Sequence, residues 1–227
     1  MKRIRAVAVV PTMFTLGNLV CGFFAIVVAA RIAKPGDIFA GSDADAWNCM
    51  ISAWLIFLAM VFDALDGQLA RMSKSTSDFG GQLDSLSDLV TFGVAPAFLL
   101  VKLCPRFTYL HNEAVWIIAA SFAACAALRL ARFNVETGED DDHLSFNGLP
   151  SPAAGGAIAS FAILFYALRS EAVGISYAPQ IDVVMQSLLP FFALGVALLM
   201  VSRIPYPHIA NQLTHGQKRF AHVCGLV

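Results

Sequence analysis

The sequence predicts an all-α integral membrane protein: a single membrane-embedded domain over residues 1–227, built as six transmembrane helices with both termini cytoplasmic. Three observations predict it. Of 227 residues, 58% are hydrophobic and only 14% charged, too few ionic groups to coat a soluble domain. Apolar segments recur along the whole chain, with no polar stretch large enough to fold by itself. The basic residues gather on alternate connections between those segments.

A helix crossing about 30 Å of hydrocarbon needs roughly 20 mostly apolar residues. The first candidate, residues 7–31, follows Met1-Lys2-Arg3-Ile4-Arg5 and superficially resembles a secretory signal. It is too long for a signal core, contains Pro11 and Asn18, and lacks a convincing small-residue cleavage site, so it reads as a span. The others are residues 49–71, 86–103, 114–132, 152–169 and 183–203, the third and fifth somewhat short. Between them, Lys34-Pro35-Gly36-Asp37 and residues 136–150 read as connections, and no long-period repeat is present. With the N-terminus inside, the inner face receives Lys2, Arg3, Arg5, Arg71, Lys74, Arg129, Arg132, Arg203, Lys218 and Arg219, against Arg31, Lys34, Lys102, Arg106 and Arg169 outside. Basic residues of short loops stay on the cytoplasmic face, so this orientation is expected, in a membrane such as the bacterial cytoplasmic one.

A net charge of −1 removes any case for nucleic-acid binding driven by overall charge. Cys21, Cys49, Cys104, Cys125 and Cys224 lie scattered in mostly apolar surroundings with no CxxC pair, and read as small buried hydrophobes. The acidic run Glu139-Asp140-Asp141-Asp142 lacks a calcium-loop spacing and reads as a solvated connection. His143, His208, His215 and His222 show no metal-ligand pattern. The paired phenylalanines Phe161/Phe165 and Phe191/Phe192 suit lipid-facing or packing positions.

The chemistry lies in aspartates. An ionised side chain within a span costs about 2.5–3.5 kcal/mol on insertion scales and calls for pairing or function. Helix spacing puts Asp63, Asp66, Gly67, Ala70 and Arg71 on one stripe of the second span. Gly80, Asp84 and Asp88 recur at steps of four and form a second stripe. An antiparallel hairpin of the two helices brings four carboxylates together, which repel unless a counter-charge sits among them. An all-oxygen set suits Mg²⁺ or Mn²⁺ and argues against zinc. A pair of ions is expected, since two metals can clamp a transferring phosphoryl group. Gly67 and Ala70 leave room beside them, and Arg71 offers a planar donor for phosphate oxygens. The bland alternative is a set of buried carboxylates that merely ties helices together through Arg71 and Lys74. Asp78 falls off the stripe and reads as a loop or cap residue.

The run Asp63-Ala64-Leu65-Asp66-Gly67-Gln68-Leu69-Ala70-Arg71, followed by Gly80-Gly81-Gln82-Leu83-Asp84-Ser85-Leu86-Ser87-Asp88, resembles the DxxDGxxAR…GxxxDxxxD signature of the CDP-alcohol phosphatidyltransferases, with all eight specified positions filled. The resemblance implies a six-span bundle, usually dimeric, that displaces CMP from a CDP-linked lipid or alcohol by attack of an acceptor hydroxyl. It also implies that Gly67, Arg71 and Ser77 touch the CDP moiety, with Ala70 beside them and Thr15 and Asn18 as weaker candidates on the first span. Three further segments, Arg129-Leu130-Ala131-Arg132-Phe133-Asn134, Phe146 to Pro152 and Ser202 to Pro207, are similar to segments of the bacterial phosphatidylserine synthases within that family, as is Pro11 to Asn18.

The acceptor that this likeness implies is L-serine, with CDP-diacylglycerol as donor. Serine carries a carboxylate, which Arg129 and Arg132 on one helix face could meet, with Asn134 close by. The N-terminal turn of the fifth helix near Ser151 adds a favourable dipole. The alternative for the arginines is snorkelling to lipid headgroups. In the expected reaction Asp63, Asp66 and Asp84 mainly hold metal, while Asp88 reaches the metals and takes the proton of the serine hydroxyl. Glycerol 3-phosphate or inositol phosphate is the nearer rival acceptor and would call for more basic residues. A small transporter with an intramembrane carboxylate path is the remoter one.

Overall fold

The computed structural model describes residues 9–32, 43–73, 78–104, 112–136, 145–169 and 178–207. Ser77, Lys74, the acidic run at 139–142, His143, His208, His215, His222 and Cys224 lie outside them, as do the side chains of Ala70, Arg71 and Phe165. The chain forms α1 (Val9–Ala30), α2 (Asp43–Ser73), α3 (Asp78–Asp88), a π-helical segment (Leu89–Val94), α4 (Ala95–Leu103), α5 (Asn112–Glu136), α6 (Ser151–Arg169) and α7 (Ala178–Val201). Since α3, the π segment and α4 run on without a break, the described residues make six helical rods.

Four rods are long and apolar enough to cross a membrane: Thr12–Ala30, Ala44–Leu69, Phe79–Leu103 and Glu113–Val135. The last two rods carry shorter apolar stretches, Ser151–Leu164 and Ser187–Val201. At 31 residues, α2 measures about 46 Å, more than the hydrocarbon layer, so it reaches beyond the apolar zone. The third rod starts at Asp78, well before the residue 86 expected from hydropathy. Gly80, Gly81, Asp84, Ser85, Ser87 and Asp88 lower the local hydropathy but do not stop a helix whose polar side faces other helices.

That third rod is the centre of the bundle, packed by α1 on one side, α5 and α6 on others, and reached by α2 and α7. Its span is 61% buried, against 28–33% for the other three long spans. Small residues permit the close packing: Ala25, Ala29, Ala53, Ala59, Ala126, Ala154, Ala159 and Ala162 are buried at helix contacts, with Phe92, Phe122, Leu99, Leu100 and Ile158 filling the gaps. Outward, Met13, Phe23, Phe24, Trp54, Val61, Trp116, Ile117 and Leu198 stand exposed, a surface suited to lipid and hazardous in water. Cys21, Cys49 and Cys104 are buried and Cys125 is half-buried, in keeping with the packing role expected of them.

The π segment has a local cause. Pro96 has no N–H to offer a carbonyl four residues back, and the Ala95 N–H bonds instead to the Val90 oxygen, five residues back. The widened turn follows directly on Asp88. Beside it, a Cβ on Gly22 would fall 2.8 Å from the Thr91 Cα, so α1 lies against the π segment backbone to backbone.

The architecture is all-α as expected, and two three-residue strands join its connections. β1 (Ser145–Asn147) and β2 (Pro205–Pro207) pair antiparallel, with Phe146 opposite Tyr206. The Gly148 N–H extends the pairing to the Ile204 carbonyl at 3.0 Å, and the Leu149 N–H reaches the Leu199 carbonyl at 3.0 Å. Gly148 has φ +87, and a Cβ there would lie 3.0 Å from the Ser202 carbonyl oxygen, so glycine alone fits this clasp. Such short strands are set by tertiary contact between two connections, which no hydropathy pattern reveals.

Candidate active site

The site forms where the C-terminal part of α2, α3 and the N-terminal part of α1 meet. Asp63 and Asp66 lie one turn apart on α2, and Asp84 and Asp88 one turn apart on α3. One carboxylate oxygen from each of Asp63, Asp66 and Asp84 falls within 4.8 Å of the others. Asp88 stands outside this trio. Its Oδ1 accepts a 3.0 Å hydrogen bond from Asn18 Nδ2, and its carboxyl group also lies against that of Asp63. Asp66 and Asp88 are buried, and Asp63 and Asp84 are half-buried.

Bare carboxylates at this spacing and burial repel one another strongly. Among the described residues the Arg129 guanidinium lies within electrostatic reach of Asp88 and Asp63, and its one positive charge does not neutralise four carboxylates. Asp66 Oδ2 and Asp84 Oδ1 are buried with no hydrogen-bond partner. Such oxygens are costly to bury unless something binds them. A hard divalent cation fits this donor set: several oxygens, no sulfur or imidazole, and two lone oxygens inside the trio. Beside it, Gly67 has open space where a side chain would be, since a Cβ there would meet no atom within 4 Å.

α1 forms the opposite wall. Thr15 and Asn18 are both buried, and the Thr15 side chain is hydrogen-bonded to Asp66. Hydroxyls from the central rod hold the α1 backbone in place: Ser87 donates to the Thr15 carbonyl at 3.0 Å, and Thr91 to the Asn18 carbonyl at 3.2 Å. Ser87 and Thr91 were not among the expected site residues. They share a helix face with Asp84 and Asp88, so the signal was present in their spacing.

The three residues expected beside the acceptor separate in space. Arg129 donates from Nη1 to Ser151 Oγ at 2.7 Å, at the start of α6, and faces the aspartates. It also stacks 5.8 Å from the Phe133 ring centre. Arg132 donates instead to the Val201 carbonyl at 3.0 Å, closing the end of α7. Asn134 donates from Nδ2 to Ser85 Oγ at 2.9 Å, tying α5 to α3 one residue from Asp84. Helix periodicity put Arg129 and Arg132 three residues apart on one side, but it could not tell that the α7 terminus would claim the second.

A family model described as CDP-alcohol phosphatidyltransferase matches residues 8–201 of the chain. Several characterised proteins are similar to it, each named CDP-diacylglycerol--serine O-phosphatidyltransferase. The one from Methanocaldococcus jannaschii is 35% identical over 159 residues, which cover 70% of this chain and 65% of that protein. The one from Bacillus subtilis is 31% identical over 199 residues, 88% of this chain and 90% of that protein. The one from Helicobacter pylori strain 26695 is 28% identical over 201 residues, 87% of this chain and 71% of that protein.

Proposed function

Because the chain belongs to the CDP-alcohol phosphatidyltransferase family, we propose that it transfers the phosphatidyl group of CDP-diacylglycerol to the hydroxyl of L-serine, giving phosphatidylserine and CMP. The observation that carries the reading is the approach of Asp63, Asp66 and Asp84 within 4.8 Å around two unpartnered buried oxygens. The names of the similar proteins support serine as the acceptor.

In this reading Asp63, Asp66 and Asp84 would mainly hold the divalent ions, Mg²⁺ or Mn²⁺ and two in number, with Asp88 beside them. Bound there, the ions offset the charge that builds on the diphosphate as it is cleaved. Gly67 leaves the backbone of α2 open to the diphosphate, and the family signature extends the CDP contacts of this reading to Ala70, Arg71 and Ser77. Asp88 takes the proton from the serine hydroxyl, the hydroxyl oxygen bonds to the lipid-side phosphorus, and the bond from that phosphorus to CMP breaks. Arg129, steadied by Ser151, meets the serine carboxylate. Arg132 is engaged with the Val201 carbonyl, so this reading gives the acceptor carboxylate to Arg129.

The same reading takes all six rods as spans, both termini and the aspartates on the cytoplasmic side, and two copies as the working unit. The excess of basic residues on that side supports the orientation. Purified protein supplied with CDP-diacylglycerol, Mg²⁺ or Mn²⁺, and labelled serine, glycerol 3-phosphate or inositol phosphate tests the proposal. Phosphatidylserine as the product, lost on chelation and restored by metal, is expected. A different labelled lipid would reassign the acceptor, and CMP release under rigorous chelation would refute the metal role.

A further inference from the structure

Asn18 is the one amide buried at the aspartate cluster on α1, and its surface exposure is 0%. A carboxylate only accepts hydrogen bonds, so the 3.0 Å contact to Asp88 Oδ1 must use the Asn18 NH₂ group. That fixes the amide orientation and turns Oδ1 away, where it is buried without a partner. A residue retained for packing alone would be better as leucine or alanine, which bury no orphaned acceptor. The backbone around Asn18 is held as well. Ser87 bonds to the Thr15 carbonyl and Thr91 to the carbonyl of Asn18 itself, while Gly22 one turn on lets α1 touch the π segment. Asn18 thus reaches Asp88 from a backbone fixed on the same rod that carries Asp88.

We propose that Asn18 is a positioning residue for Asp88: it occupies one carboxylate oxygen, fixes the side chain's rotamer, and so presents the other oxygen to the acceptor hydroxyl. This rests on the reading of Asp88 as the base, and it replaces the expectation that Asn18 touches the CDP lipid. An amide that acts only through Asp88 should affect turnover, while substrate and metal binding stay as they were.

The test compares Asn18→Leu, Asn18→Ser, Ser52→Ala, Asp88→Asn and the Asn18→Leu/Asp88→Asn double variant as purified full-length protein. CMP release, lipid product, KM for each substrate, metal half-saturation and thermal unfolding in detergent are measured. Asn18→Leu is expected to lower kcat about 10–100-fold, the usual cost of losing an outer partner of a reacting group, with KM values and metal half-saturation within about twofold. Ser52→Ala, which removes the 2.9 Å bond from the Ser52 hydroxyl to the Ala25 carbonyl of α1, two turns from Asn18, should stay within about twofold of wild type in kcat. The double variant should be no slower than Asp88→Asn alone, read in prolonged incubations. Asn18→Ser, whose hydroxyl falls short of Asp88, carries the same comparison if the leucine variant does not fold.

A raised KM for CDP-diacylglycerol with kcat intact would make Asn18 a substrate contact and overturn the proposal. Equal losses of kcat and unfolding temperature in the Asn18 and Ser52 variants would make it a packing residue and overturn it too. Wild-type turnover with an acceptor other than serine would displace the serine reading alone, and the Asn18 comparison would then be decided in that reaction.

Discussion

Adding one methyl group at three different glycines should separate fold from chemistry. At Gly22 a Cβ would sit 2.8 Å from the Thr91 Cα, a backbone atom that cannot rotate aside. That is roughly 0.7 Å inside the shortest favourable carbon–carbon separation, so α1 must move off the central rod. Overpacking of this kind costs about 1–3 kcal/mol. In soluble chains of 150–250 residues each kcal/mol lowers the unfolding temperature by roughly 2–4 °C, and a loss of that order is expected for Gly22→Ala. Because Asn18 lies one turn away on the same helix, the displacement should also loosen its contact with Asp88 and reduce turnover. At Gly195 a Cβ would meet nothing within 4 Å, so Gly195→Ala should leave activity unchanged and hold or raise stability by up to about 1 kcal/mol. Gly67 has the same open space but faces the carboxylates, so Gly67→Ala should keep the unfolding temperature and lose turnover. Thermal unfolding in detergent and CMP release, measured side by side, read the series. Gly22→Ala with wild-type stability and turnover would refute the close helix approach on which the site geometry depends.

Asp88→Asn should lower kcat by about 10²–10⁴, the range of a lost general base, while the protein elutes and unfolds as the wild type does. Full activity in that variant would remove Asp88 from the reaction. Asp84→Asn should raise the metal concentration needed for half-maximal activity at least tenfold, and direct titration of Mn²⁺ binding checks this without any turnover. Arg129→Gln should raise the KM for serine more than that for CDP-diacylglycerol, and Ser151→Ala should do so more weakly, since it removes only the residue that steadies the arginine. Gly148→Ala should destabilise the protein by about 1–3 kcal/mol in the same unfolding assay, because φ +87 and the nearby Ser202 carbonyl leave no room for a side chain.

The membrane class was legible because it needs only composition and run length, and the aspartate stripes because a 3.6-residue period fixes which positions share a helix face. Exposed Met13, Phe23 and Trp54 beside buried Ala25 and Ala53 follow the same logic inverted, with large side chains outward to lipid and small ones inward. Hydropathy failed where polar residues face protein: it started the third rod at residue 86, whereas the helix already runs from Asp78, packed on α1, with Asp84 turned to Asp63 and Asp66 and Ser85 bonded to Asn134.

What the sequence determined by itself is the set of chemically committed positions: four carboxylates on two neighbouring helices, with glycines beside them, in a chain too apolar for water. Local spacing suffices for that, since it acts along one helix at a time. Only the tertiary structure decided how those positions divide their work. Asp63, Asp66 and Asp84 converge, while Asp88 turns to an asparagine 70 residues away on α1. Arg129 looks toward the carboxylates, while Arg132 is drawn to the end of α7. The physical reason is that a hydrogen bond is chosen by whichever partner packing brings within about 3 Å, and packing between distant helices is not written in the period of either one.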